Sequence, residues 1–339
     1  MFELNSYHLW TALVTPLSDD GSIDYKSLKK LVESQLEAKN GLLVLGSTGE
    51  AMSFSLEERK NILDYVIGLN VGLPIMVGVG GTNLLESMQW VQYLNGVQVD
   101  AYLMVTPLYS KPGFKGQLRW FETLLDCAER PCMLYNVPSR TGVSLHLEAV
   151  KELAGHARFW ALKEASGSLE DYLKYQHAAG TSVRLYSGDD GMMPVFGKVG
   201  CAGCVSVASN VWPRETRQYV LDSLANRELD ETWNYACKAL FVATNPIPIK
   251  ALLQETGILE TATLRLPLSA EDLNEKQVLR AANSSIEQWY LHRMDQNIRL
   301  RHQDKSVGYR IVELQESEIE TEIKSDSRNQ NPLTVVTES

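Results

Sequence analysis

A chain of 339 residues with 44% hydrophobic and 22% charged side chains has ordinary globular composition, which excludes collagenous, wholly disordered and disulfide-framework proteins. No apolar run of about 18 residues offers a membrane span. The formal charge of −10 argues against a general binder of nucleic acid or of acidic membranes.

Eight short apolar, β-branched runs follow one another along the chain: Leu9–Thr15, Leu42–Leu45, Pro74–Val79, Ala101–Thr106, Cys132–Val137, Phe159–Glu164, Val183–Ser187 and Gly203–Val207. Between them lie stretches such as Tyr25–Ala38, Leu56–Leu69 and Gly116–Ala128, where apolar residues recur at three and four. The gap after the seventh run is short, and Met192–Val199 must supply a small helix there. Eight strands alternating with helices fit a (β/α)₈ TIM barrel or a large doubly wound sheet. The spacing of the runs favours the barrel. After Pro213 the pattern is helical, with Arg214–Leu224, Glu231–Thr244, Pro248–Glu255 and Gln277–Met294 as expected helices. The expected organisation is a barrel core over 1–212, a C-terminal helical region over 213–294 and a polar acidic tail over 295–339. Glu313–Ser339 alone carry seven acidic and two basic residues, half of the net charge, which reads as a solvated, disordered extension.

The five cysteines are scattered and odd in number, and Met1 to Trp10 lack the order of a signal peptide. Reduced thiols in a cytoplasmic protein are expected. Cys201 and Cys204 form a C-x-x-C without a second pair or a histidine at ligand spacing, so they read as small buried residues rather than a metal site.

In a barrel the working residues sit at the C-terminal ends of the strands. On the sixth run, alternation puts Ala161, Lys163 and Ala165 on one face and Trp160, Leu162 and Glu164 on the other. Trp160 and Leu162 should pack against helices, which turns Lys163 into the barrel. A confined apolar space disfavours the charged form of an amine, and a neutral amine can attack a ketone to form a Schiff base. The competing reading is an ion pair, with Glu164 or Glu50. Tyr135, on the fifth run, belongs beside Lys163 as a proton carrier or as a core aromatic. Arg140 follows in a loop at the same end, either to hold a carboxylate or to form a surface ion pair. The turn Gly46-Ser47-Thr48-Gly49-Glu50 offers hydroxyls and backbone amides for an anion where a helix should begin.

Taken together, Gly46–Glu50, Tyr135–Gly142 and Leu162–Gly167 resemble the dihydrodipicolinate synthase and N-acetylneuraminate lyase family of class I aldolases. The Ser187–Asp190 turn and Asn245–Leu253 add to the resemblance, which runs from about Tyr7 to Leu273. Each stretch alone is common; their combination in this order is specific. The resemblance implies Schiff-base chemistry with no metal or organic cofactor. It makes Lys163 the imine-forming lysine and Tyr135 the proton donor and acceptor. Thr48 and the backbone of Val205 would hold pyruvate. Ser47 would stand in a hydroxyl relay at a position where the family usually has threonine. Thr106–Tyr109 resembles a loop that lends its tyrosine across a tight dimer interface, so Tyr109 would complete the relay and a homo-oligomer is implied. Arg140 fits the arginine that holds the carboxylate of L-aspartate 4-semialdehyde, which favours a synthase. A sibling aldolase acting on a sialic or keto-deoxy sugar acid, and a non-catalytic interaction protein on the same fold, are the alternatives.

Overall fold

The computed structural model describes residues 2–227, 229 and 231–305. Eight parallel strands close a barrel in chain order. They are β1 Leu9–Ala12, β2 Gly41–Val44, β3 Ile75–Val79, β4 Ala101–Val105, β5 Cys132–Asn136, β6 Phe159–Glu164, β7 Arg184–Ser187 and β8 Gly203–Ser206. Nearly every strand residue is buried, because one face fills the barrel and the other meets helices. That two-sided burial is why the strands read as continuous apolar runs.

Local chemistry sets where the helices start and stop. The Asp24 carboxylate accepts from the Ser27 amide to open Tyr25–Ala38, and Lys39, in the left-handed region at φ 57°, ends it. Ser55 and Glu58 cap Leu56–Gly68 reciprocally. The short seventh crossover is a 3₁₀ turn, Asp190–Met192, continuing into the helix Met193–Gly197. Past the barrel come Pro213–Leu224, Thr232–Ala239, Ile247–Glu255 and Lys276–Lys305. Residues up to Gln288 make one unit, and a second begins at Trp289, within the last helix. The acidic stretch Glu313–Ser339 lies outside the described residues. Among the described residues no helix is long and apolar enough to cross a membrane.

One expected orientation is corrected. Strict alternation turned Trp160 outward, but the β5–β6 register jumps there: Cys132 pairs with Phe159, and Met133 with Ala161. Trp160 is the extra residue of this irregularity. It packs on the barrel's inner cluster, 6.1 Å from the Trp10 ring and 5.7 Å from that of Tyr186, and its indole N–H donates to Asn5 Oδ1 at 2.9 Å. Leu4, from the turn before β1, joins the same cluster. Aromatic bulk from Trp10, Trp160 and Tyr186 thus fills part of the barrel interior.

Candidate active site

Beyond the irregularity the register recovers, and Tyr135 on β5 lies directly opposite Lys163 on β6. The Lys163 ammonium sits over the Tyr135 ring, 4.2 Å from its centroid. Lys163 is 5% exposed, and among the described residues its Nζ makes no ion pair or hydrogen bond. The ion-pair reading therefore fails for both proposed partners. Glu50 pairs with Lys250, and Glu164 is turned away. Room for the Lys163 stem comes from Gly188 on the next strand's end: a Cβ there would lie 2.7 Å from Ala165 Cβ and 2.8 Å from Lys163 Cε.

At the following register position, Asn136 faces Glu164. Glu164 Oε1 accepts from Asn136 Nδ2 and from the Ser166 amide, each at 2.9 Å, while Asn136 Oδ1 accepts from the Leu145 amide. Oε2 is buried without a partner, and burial pushes the Glu164 carboxyl above its ordinary value against those hydrogen bonds. This bridge on the outer face ties the two strands one residue beyond Tyr135 and Lys163.

The turn after β2 departs from expectation. No helix starts on it; a 3₁₀ turn Ala51–Ser53 intervenes, and the helix waits until Leu56. The amides of Gly49, Glu50 and Ala51 close the turn on the carbonyls of Gly46 and Ser47, so they are not free for an anion. The amides of Ser47 and Thr48 take no part in those bonds. Thr48 is buried, and its Oγ1 accepts from Asn245 Nδ2 at 2.9 Å. Glu50, in the left-handed region at φ 55°, accepts from Lys250 Nζ and, through Oε2, from the Arg265 amide at 3.0 Å. The turn is thereby pinned from beneath by the helix Ile247–Glu255.

Arg140 stands on the one-turn helix Pro138–Thr141, and its Nη2 donates to the Asn245 carbonyl at 3.0 Å. Ser47, Tyr135 and Arg140 share one cleft, with Leu45, Val105 and Val137 among its apolar walls. Val205 is buried on β8 in the same inner cluster as Tyr135. Asp190 braces that strand's end. Its Oδ2 accepts from the amides of Val207 and Ala208 at 3.0 and 3.3 Å, and burial raises its pKa. Lys163, Thr48 and Val205 are not among the residues that line this cleft, and Tyr109, 92% exposed at φ 67°, does not line it either.

Sequence reading missed Asn245, Asp190 and Gly188 as individual contributors, although two of the stretches quoted above contain them. Only the fold places them beside Thr48, β8 and Lys163. All five cysteines are unpaired; burial pushes up the thiols of Cys201 and Cys204, as small core residues.

The chain is similar to known proteins. The sequence model of the dihydrodipicolinate synthetase family matches residues 5–286. The 4-hydroxy-tetrahydrodipicolinate synthase of Wolbachia pipientis subsp. Culex pipiens (strain wPip) is 45% identical over 288 residues, spanning 84% of this chain and 98% of its own. That of Francisella philomiragia subsp. philomiragia is 47% identical over 287 residues, spanning 84% and 97%. The crystal structure of the chloride-inhibited dihydrodipicolinate synthase from Acinetobacter baumannii, complexed with pyruvate, aligns at 31% identity with a TM-score of 0.77, covering 83% of this chain and 99% of that one. Since the match runs through all eight strands and past the helix that pins Glu50, the chain belongs to the dihydrodipicolinate synthetase family.

Proposed function

We infer that this enzyme is a lyase that condenses pyruvate with L-aspartate 4-semialdehyde to 4-hydroxy-tetrahydrodipicolinate, on the route to diaminopimelate and lysine. The observation that carries the mechanism is Lys163: a buried amine over the Tyr135 ring, in no ion pair among the described residues. Its Nζ attacks the ketone carbon of pyruvate, and water leaves as the imine forms. In this reading Tyr135, opposite Lys163 in the register, gives and takes those protons. Loss of a C3 proton makes an enamine, whose carbon adds to the aldehyde of the second substrate. That substrate's amine then attacks the imine carbon, closes the ring and frees Lys163. Thr48 and the Val205 backbone hold pyruvate, Arg140 holds the semialdehyde carboxylate, and Ser47 relays protons. Confining both substrates in one cleft supplies much of the rate. Tyr109 is exposed and does not line its own cleft, which supports a homo-oligomer in which it serves the relay of a neighbouring subunit. A cytoplasmic location belongs to the same proposal and is supported by the five unpaired thiols.

The test is turnover of the purified protein with both substrates, coupled to the NADPH-dependent reductase that consumes the product. NADPH loss is expected with the parent and none with Lys163→Ala. Borohydride with pyruvate should leave a covalent adduct on the parent alone. An adduct without turnover, with the reductase shown to be active, would move the assignment to a sugar-acid aldolase.

A further inference from the structure

Asn245 touches two groups that serve different substrates. Its side-chain Nδ2 donates to Thr48 Oγ1 at 2.9 Å, and its backbone carbonyl accepts from Arg140 Nη2 at 3.0 Å. A threonine hydroxyl has one proton and two lone pairs. With one lone pair occupied by the amide, its proton turns elsewhere, and among the described residues Thr48 donates to no protein acceptor. The carboxamide is also held at a cost. Its Oδ1 is buried without a partner, a penalty that an apolar side chain of the same shape would escape. What the amide gains in exchange is the bond to Thr48.

We propose that Asn245 is a positioning residue that orients the Thr48 hydroxyl as a donor toward the pyruvate carboxylate. This rests on the reading above that Thr48 holds that carboxylate. Through its backbone alone, Asn245 also steadies Arg140, so its side chain should matter to one substrate and not to the other.

Two-substrate kinetics separate these roles. Asn245→Ala should raise the KM for pyruvate about tenfold, since the lost bond aims a donor at a charged group, and leave the KM for L-aspartate 4-semialdehyde within about twofold, because the carbonyl that holds Arg140 remains. Asn245→Asp keeps the shape but can only accept, which turns the Thr48 proton inward. Its KM for pyruvate should exceed that of the alanine variant. In a Thr48→Val background, Asn245→Ala should add nothing further. Equal changes in both KM values, no change in either, additivity in the double variant, or a parental pyruvate KM in Asn245→Asp would each overturn the proposal. If Thr48→Val alone leaves the pyruvate KM unchanged, the assignment of Thr48 fails first and carries this one with it. Should the alanine variant not fold, the near-isosteric aspartate carries the test.

Discussion

Two lysines are buried among the described residues, and they have opposite surroundings. Lys250, on the helix Ile247–Glu255, is fully buried; its Nζ donates to the Glu50 carboxylate and to the Thr263 carbonyl at 2.9 Å. Burial lowers its pKa, and Glu50 opposes that shift. Lys163 is almost as enclosed, yet meets an aromatic face and no acid. The same side chain is a strut where partners meet its charge and, in the proposed function, a nucleophile where they do not. A buried amine without compensation marks the place where the protein gives up stability for chemistry.

The largest effects should come from exchanging each lysine for methionine, which keeps length and removes the amine. Lys163→Met should abolish turnover and leave the urea-unfolding free energy at or above the parent's. Lys250→Met should cost about 3 to 5 kcal/mol, because it strands a buried carboxylate. Adding Glu50→Gln to Lys250→Met should recover part of that loss, a coupling that the four-protein cycle reads directly. A cost below about 1 kcal/mol for Lys250→Met would remove the strut from the comparison.

A smaller effect sharpens the other side. Gly188→Ala would push a methyl group against Ala165 and the Lys163 stem. The backbone there is not in the left-handed region, so the effect is one of space. Misplacing a nucleophile by a fraction of an ångström to 1 Å can cost up to about 10²-fold in rate. Overpacking of this kind costs about 1 to 3 kcal/mol of stability. The rate of borohydride-trappable imine formation should therefore fall far more than the melting temperature. An unchanged imine rate would show that Lys163 has room to spare.

How much of this was legible depended on range. Each strand announces itself by a local apolar run, and the direction of Lys163 follows from alternation within β6. Trp160 was misread by the same rule, because a register irregularity is a property of two strands and only one was in view. The turn Gly46–Glu50 reads as an anion site because Gly, Ser and Thr suit one; the amides of Gly49 and Glu50 close the turn itself, and those of Ser47 and Thr48 take no part in it. Asn245 and Thr48 stand 197 residues apart in the chain, and nothing in either segment alone announces their bond. Lys250 is likewise silent until Glu50 is beside it. Tyr109 is a different case, since its reading needs a second copy of the chain.

The mildest prediction concerns the outer end of the strut. Arg265 donates its amide to Glu50 Oε2 and its Nη2 to Glu58 Oε1 at 2.5 Å, so Glu58 anchors the residue that helps hold Glu50. The Arg265 guanidinium, with the Ser55 amide, holds the Glu58 carboxyl at about 2, against an ordinary 4.5. A depressed folded pKa means the unfolded chain binds the proton more readily between those values. The stabilisation is therefore complete above about pH 4.5 and is lost as pH falls toward 2. Glu58→Gln keeps an oxygen for the cap and loses the charge. Its deficit relative to the parent should be about 1 to 3 kcal/mol at neutral pH and should shrink toward zero in acid. Subtracting the two proteins also cancels Glu164 and Asp190, whose raised values make acid favour the folded state instead. A deficit that stays constant with pH would mean that the Arg265–Glu58 pair contributes through packing, and that the charge balance around Lys250 ends at Glu50.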